Sequence, residues 1–219
     1  IFARNVLPHV ANTRDFVKGL SVCLSPEGTL AIEAHYAGEI LKGLHYDSIY
    51  HEHLCYFTLK SLEKLLNDFN LYIFDITKSP ISGGSLVVYA KLGKTEEKPA
   101  VSQYRQKESE EKTNEFENWQ EFSNKARKHK EKLLEAIKRQ EGAVAGYGSS
   151  ARSSTMLNFA RIDANLLSFI ADANPLKQGR FAAGTKIPIL PPETVTARNP
   201  EAVVVLAWNF AEEITGILR

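Results

Sequence analysis

The chain has 219 residues, with 27 Lys and Arg against 26 Asp and Glu and a net charge of +1. That length holds one large domain or two small ones, and a balance so near zero gives no electrostatic case for nucleic acid or an acidic membrane surface as the main partner. At 43% hydrophobic and 24% charged the composition is that of a soluble globular protein. The longest apolar runs are strand-length, well short of the ~20 residues a membrane span needs, and no signal-peptide pattern opens the chain, so cytoplasm is the expected compartment. Cys23 and Cys55 form no C-x-x-C pair and read as reduced thiols. The chain begins at Ile1, and "IFARNVLPHV" reads as the inside of a domain with no cap or turn before it; a fragment without its N-terminal part is expected.

"IFARN" reads as the end of a strand. "NTRDFVKGLSVCL" (12–24) has helical spacing at Phe16, Leu20 and Cys23, with Asn12 or Thr13 as N-cap. "PEG" (26–28) is a turn, and "TLAIEAH" (29–35) alternates as a strand does. "GEILKGL" is helix-like, and "TLKSLEKLLNDFN" (58–70) is a helix with Leu59, Leu62, Leu65, Leu66 and Phe69 on one face. "LYIFDIT" (71–77) and "SLVVYAKLG" (85–93), joined by the glycine-containing "KSPISGG", predict an antiparallel hairpin. Residues 94–140 are charge-dense and read as a polar linker followed by a long helix with Phe116, Trp119, Phe122, Leu133, Leu134 and Ile137 at helical intervals. Its charges form a solvated face, with oligomerisation as the alternative role. From 142 the order is strand "AVAGY", helix 150–161, strand "LLSFIAD" (166–172), "KIPIL" (186–190), helix 192–198, strand "AVVVLAW" (202–208) and helix "FAEEITGIL". Strands alternating with helices argue a parallel sheet. The expected fold is α/β, with domains over 1–97 and 141–219 and a linker with long helix over 98–140.

The densest group of reactive side chains is "HYDSIYHEHLCYF" (45–57), a loop carrying His45, Asp47, Tyr50, His51, Glu52, His53 and Tyr56. Histidine exchanges protons near neutral pH, a carboxylate can orient it, and tyrosine can donate to a developing oxyanion. An acid–base site, a metal site using His51 and His53 with His45 or Glu52, and a purely structural loop all remain open; H-E-x-x-H is absent and no further ligand motif is evident, so no metal is assigned. His9, in "RNVLPH", falls just past the first strand, where ligands of open α/β sheets bind. Gly83, Gly84 and Ser85, in "SGGSLVVY", make either a tight turn or a close approach to a ligand. "GYGSSARSS" (146–154) is a G-x-G-x-x-A pattern between a strand and a helix. Gly146 and Gly148 permit the sharp turn, the amides of 149–152 point toward an anion, and Ser149, Ser150 and Arg152 add donors. Asp172 ends the next strand, where an acid holds a ribose in nicotinamide enzymes, and Lys177 and Arg180 are available to a phosphate.

"IYHEHLCYF", "SGGSLVVY", "GYGSSARSSTMLNF", "ADANPLKQGRFAAGTKIPILPPE" and "VLAWNFAEEI", in this order, closely resemble the S-adenosylmethionine-dependent C-methyltransferases of nucleotide-linked deoxysugars, of the sugar 3-C-methyltransferase type. The resemblance covers essentially the whole chain. It implies a class I methyltransferase-type sheet ending in an antiparallel hairpin over 1–97, then a small Rossmann-like parallel α/β domain that helps hold a nucleotide sugar. The family's N-terminal zinc module and main cofactor-binding loop have no counterpart here, so zinc is expected only in that module, and the resemblance implies methyl transfer by the full protein with this fragment alone inactive. The family's catalytic pattern falls on Tyr50, Glu52 and His53, with His9 upstream. His53 is implied as the base that removes the proton beside a ketone, Glu52 as an orienting group, and Tyr50 and His9 as stabilisers of the enolate oxygen. Two other classes compete: a nicotinamide-dependent oxidoreductase built on 142–219, and a non-catalytic nucleotide-sugar-binding or assembly module.

Overall fold

The computed structural model describes residues 1–218. The chain divides into two compact units: Ile1–His45 with His51–Ser123, and Tyr46–Tyr50 with the chain from Asn124 onward. The short segment 46–50 therefore belongs to the second unit, although its neighbours on both sides belong to the first.

The first unit begins with β1 (Phe2–Arg4), a 3-10 turn at Leu7–His9 and α1 (Thr13–Cys23). The side chain of Asn12 caps α1 by accepting the amide of Asp15 at 3.1 Å. β2 (Leu30–His35) and α2 (Ala37–Gly43) follow, then α3 (Leu59–Asn67), β3 (Leu71–Ser79), β4 (Ser85–Leu92) and α4 (Pro99–Glu110). The sheet order is β1-β2-β4-β3. β1 runs parallel to β2, while β4 is antiparallel to both β2 and β3. The alternation read in "TLAIEAH" implies one exposed face, but all six residues of β2 are buried, because the strand lies inside the sheet. Leu59, Leu62 and Leu66 of α3 pack into the same core as Leu30, Ile32 and Val88. Each such side chain is worth about 1.5–3 kcal/mol on full burial.

This topology gathers four chain segments at one end of the sheet. The carboxyl ends of β1 and β2, the end of β3 and the start of β4 all lie there. The turn at Leu7–His9, the entry to α2 and the β3–β4 connection therefore share that end.

The stretch read as a polar linker holds α4, so much of it is helical. Only Val101 and Glu108 of that helix are buried, which explains why no apolar stripe announced it. α5 (Phe116–Lys138) follows, and the boundary between the units falls within it.

The second unit contains β5 (Val144–Tyr147), α6 (Ala151–Ala160), β6 (Ile170–Ala171), β7 (Ile189–Leu190), α7 (Glu193–Arg198), β8 (Ala202–Val205) and α8 (Ala211–Ile217). Its sheet has the order β7-β6-β5-β8, and every pair is parallel. Ala145, Tyr147, Phe169, Ala171 and Ile214 form part of its core. The strand read over 166–172 is hydrogen-bonded as a strand only at Ile170–Ala171. No helix among the described residues is long and apolar enough to cross a membrane.

Candidate active site

In the first unit, two segments are stitched together at the sheet end. The carbonyl oxygen of Pro8 accepts the amides of Leu54 at 2.8 Å and Cys55 at 3.2 Å. One residue on, the Nδ1 of His9 lies 2.7 Å from the carbonyl oxygen of Glu52. A carbonyl only accepts, so Nδ1 carries the proton of this hydrogen bond. The result is a pair of imidazoles: the His9 and His53 ring centroids are 5.0 Å apart, tilted by 58°. The ring of Tyr56 stands edge-on to His53 at 6.3 Å. His9, His51 and Glu52 are exposed and His53 is half-buried, so the pair is open to a ligand. His45 lies elsewhere, buried and stacked on His35 at 5.8 Å. Tyr50 lies in segment 46–50 of the other unit. Among the described residues no group of three or more His, Cys, Asp or Glu side chains is set to hold a metal.

The far end of the histidine loop is held by residues that sequence reasoning missed. Tyr36, just after β2, forms a parallel bridge with Phe57. Thr58 caps α3 through a reciprocal pair with Ser61, and its hydroxyl donates to Asn114 at 2.8 Å. Beneath them Glu108 is 4% exposed. Its carboxylate accepts the amides of Leu59 at 2.5 Å and Lys60 at 3.2 Å, the hydroxyl of Tyr36 at 2.9 Å and the side-chain amide of Asn114 at 3.0 Å. A negative charge at a helix start meets both the unpaired amides and the positive end of the dipole. Burial, and next the charge of Glu108, push the Tyr36 phenol far up, so it stays a neutral donor. No periodicity could have revealed a lone glutamate in a charge-dense stretch.

Gly83, Gly84 and Ser85 line a cavity of about 460 Å³ together with Glu39, Lys78 and Tyr104. Gly83 and Gly84 have φ of +83° and +127°, where glycine costs least.

In the second unit the glycine turn has a packing explanation. Gly148 has φ +92°, and a Cβ there would sit 2.5 Å from that of Ala207; one on Gly146 would meet Leu206 at 2.7 Å. Two of the amides expected to face an anion are committed to the protein itself. The amide of Ser149 donates to Asp172 Oδ2 at 2.7 Å, and that of Ser150 to the hydroxyl of Ser153 at 3.2 Å. Asp172 Oδ1 accepts the amide of Asn174 at 2.8 Å, and Lys177 Nζ lies 2.5 Å from the carbonyl oxygen of Ser149 and 3.3 Å from Asp172. A carboxylate so occupied is poorly placed to hold a ribose. Arg152 spends its fork on Asp47, at 2.8 and 3.0 Å, and Asp47 also accepts the indole N–H of Trp208 at 2.8 Å. The guanidinium stacks over the Trp208 ring at 4.7 Å. Arg180 is exposed.

Residues 80–219 match a family model described as the C-methyltransferase C-terminal domain, and residues 1–76 match one described as a methyltransferase domain. The chain belongs to the C-methyltransferase family. It is 31% identical to C-methyltransferase NovU of Streptomyces niveus over 219 residues, covering 98% of this chain and 52% of that protein. The chain thus spans about half the length of the curated relative it matches.

Proposed function

We propose that this chain is the carboxyl-terminal portion of an S-adenosylmethionine-dependent C-methyltransferase. Its acceptor is a carbon beside the ketone of a nucleotide-linked deoxysugar or a related keto compound. The observation that carries this reading is the His9–His53 pair, 5.0 Å apart at the open end of the sheet and bound to a loop that also holds Glu52. His53 acts as general base and takes the proton from the carbon next to the carbonyl. The electron pair of that C–H bond becomes an enolate, whose oxygen is stabilised by His9 and Tyr50, while Glu52 orients a histidine or a sugar hydroxyl. S-adenosylmethionine, when bound, would supply a sulfonium methyl as the electrophile for that carbon, with the sulfur keeping the electrons of the broken bond. One positioned acid or base of this type contributes about 10²–10⁴-fold.

The mixed first sheet, with its antiparallel β3–β4 pair, is the end of a class I methyltransferase-type sheet in this reading. The parallel second sheet is a Rossmann-like domain, and the division into 1–97, 98–140 and 141–219 is kept. Gly83, Gly84 and Ser85 contact substrate. Gly146, Gly148, Ser149, Ser150 and Arg152, with Asp172, Lys177 and Arg180, form a phosphate-holding turn, and phosphate entry exchanges the Asp172 contact for the ligand. The internal commitment of Asp172 disfavours a nicotinamide cofactor there. The test is incubation of the full-length protein with methyl-labelled S-adenosylmethionine and a panel of 4-keto nucleotide sugars, read by mass spectrometry. A labelled carbon-methylated sugar supports the reading. Tight nicotinamide dinucleotide binding without any nucleotide-sugar binding overturns it.

A further inference from the structure

The cavity behind the β3–β4 turn is built for more than a tight bend. Gly84 has φ +127°, and a Cβ there would lie 2.8 Å from Glu39 Cγ, so a glycine leaves the room that the stem of that glutamate occupies. Glu39 is held from the other side by Lys107, whose Nζ is 3.3 Å from Oε1. The same ammonium stands 5.7 Å from the ring centroids of both Tyr36 and Tyr104. Glu39 and Lys107 keep 28% and 26% of their side-chain surface exposed, so the ion pair is reachable yet fixed. Tyr104 lines the cavity, and its hydroxyl oxygen, buried, has no hydrogen-bond partner among the described residues. Burial, and next the charge of Glu39, push that phenol up to about 12, so at neutral pH it is a donor. A buried hydroxyl without a partner is destabilising in the empty protein. Lys78, Ser79 and Ser85 add polar groups around the rim.

A fixed carboxylate acceptor beside neutral and cationic donors, in a volume of about 460 Å³, matches two adjacent hydroxyls on a small ring; ligand sites typically occupy about 300–1,000 Å³. We infer that this cavity is a subsite for a vicinal diol, with Glu39 accepting from the pair of hydroxyls and Tyr104 and Lys78 donating to them. The inference rests on the acceptor-sugar reading above and narrows it: the acceptor retains two neighbouring hydroxyls, and Glu39 and Tyr104 select for them. Ribose carries the same chemistry, so the cofactor is the other source of such a diol.

The experiment is calorimetric titration of the full chain with UDP-glucose and its 2-, 3- and 4-deoxy analogues, and with S-adenosylhomocysteine and its 2′-deoxy analogue. Each series is run on wild type, Glu39→Gln and Tyr104→Phe. Removing one hydroxyl is expected to weaken wild-type binding about ten-fold and to cost little further in either variant. A loss in the sugar series identifies the acceptor as the source, and a loss in the ribose series identifies the cofactor. Tyr104→Phe should melt at or above the wild-type temperature, because it deletes an unpartnered hydroxyl. Equal affinity for parent and deoxy probes overturns the inference, as does a Tyr104→Phe protein that is less stable and binds unchanged. Diol-dependent binding without methyl transfer contradicts the catalytic reading alone. Methyl transfer with no dependence on Glu39 or Tyr104 contradicts only the subsite.

Discussion

Glu108→Ala removes the single acceptor shared by four donors: two amides at the start of α3, the Tyr36 hydroxyl and the Asn114 amide. Each buried donor left unsatisfied costs about 1–3 kcal/mol, and losing the charge at the helix start adds about 0.3–1 kcal/mol. Water entering the space left by the side chain satisfies part of this set, so the expected net loss is about 3–5 kcal/mol, the range for removing one partner from a buried charged site. Glu108→Gln should lose about 1–2 kcal/mol. It keeps one carbonyl oxygen for Leu59 and Tyr36, and the Asn114 amide can flip to meet its new N–H, because the Thr58 hydroxyl can then accept instead of donate. Urea unfolding followed by far-UV circular dichroism measures both. A Tyr36→Phe background should reduce the cost of Glu108→Ala by about 1 kcal/mol, since one orphaned donor is then absent. A loss below about 1 kcal/mol for Glu108→Ala, or no coupling to Tyr36, would refute the clasp.

In the second unit, Asp47→Ala removes the carboxylate that pairs with the Arg152 guanidinium, whose side chain is 14% exposed, and should cost about 3–5 kcal/mol by thermal melting. Asp47→Asn, which still accepts, should cost less. Gly148→Ala faces both φ +92° and a 2.5 Å approach to the Ala207 Cβ, so a loss of about 1–3 kcal/mol is expected in the same assay. The hydrogen bond from Lys98 holds the Asp75 carboxyl below its ordinary value. The native state therefore binds fewer protons there than the unfolded chain. The stability this pair contributes is present above about pH 4 and is lost as pH falls through the depressed native value. Lys98→Ala and wild type should differ in denaturation midpoint at neutral pH and converge in acid, and a difference that persists at low pH contradicts the assignment.

Much of the architecture was legible because periodicity marks elements that bury one face. The leucines of α3 and the paired apolar runs of β3 and β4 announced themselves, and Asn12 was readable as a cap. α4 was not legible: only Val101 and Glu108 are fully buried, with Ala100 and Tyr104 partly so, and the pattern resembles a solvated linker. The loop with Tyr50, Glu52 and His53 stood out by composition alone. Its partners did not, because Pro8 contributes a backbone carbonyl and Glu108 is distant in sequence. The glycine turn shows the opposite limit. G-x-G-x-x-A correctly marks a strand–turn–helix, but the motif is silent on the fact that Leu206 and Ala207 already require both glycines and that Asp172 already occupies the Ser149 amide.

The most direct test of the proposed chemistry follows the proton. In deuterated buffer without S-adenosylmethionine, the chain should accelerate exchange of the hydrogen beside the ketone of a 4-keto nucleotide sugar, observed by NMR. His53→Ala should slow that exchange by about 10²–10⁴-fold while nucleotide-sugar affinity stays within a few-fold of wild type. Exchange at the wild-type rate in His53→Ala would contradict the assignment of His53 as the base.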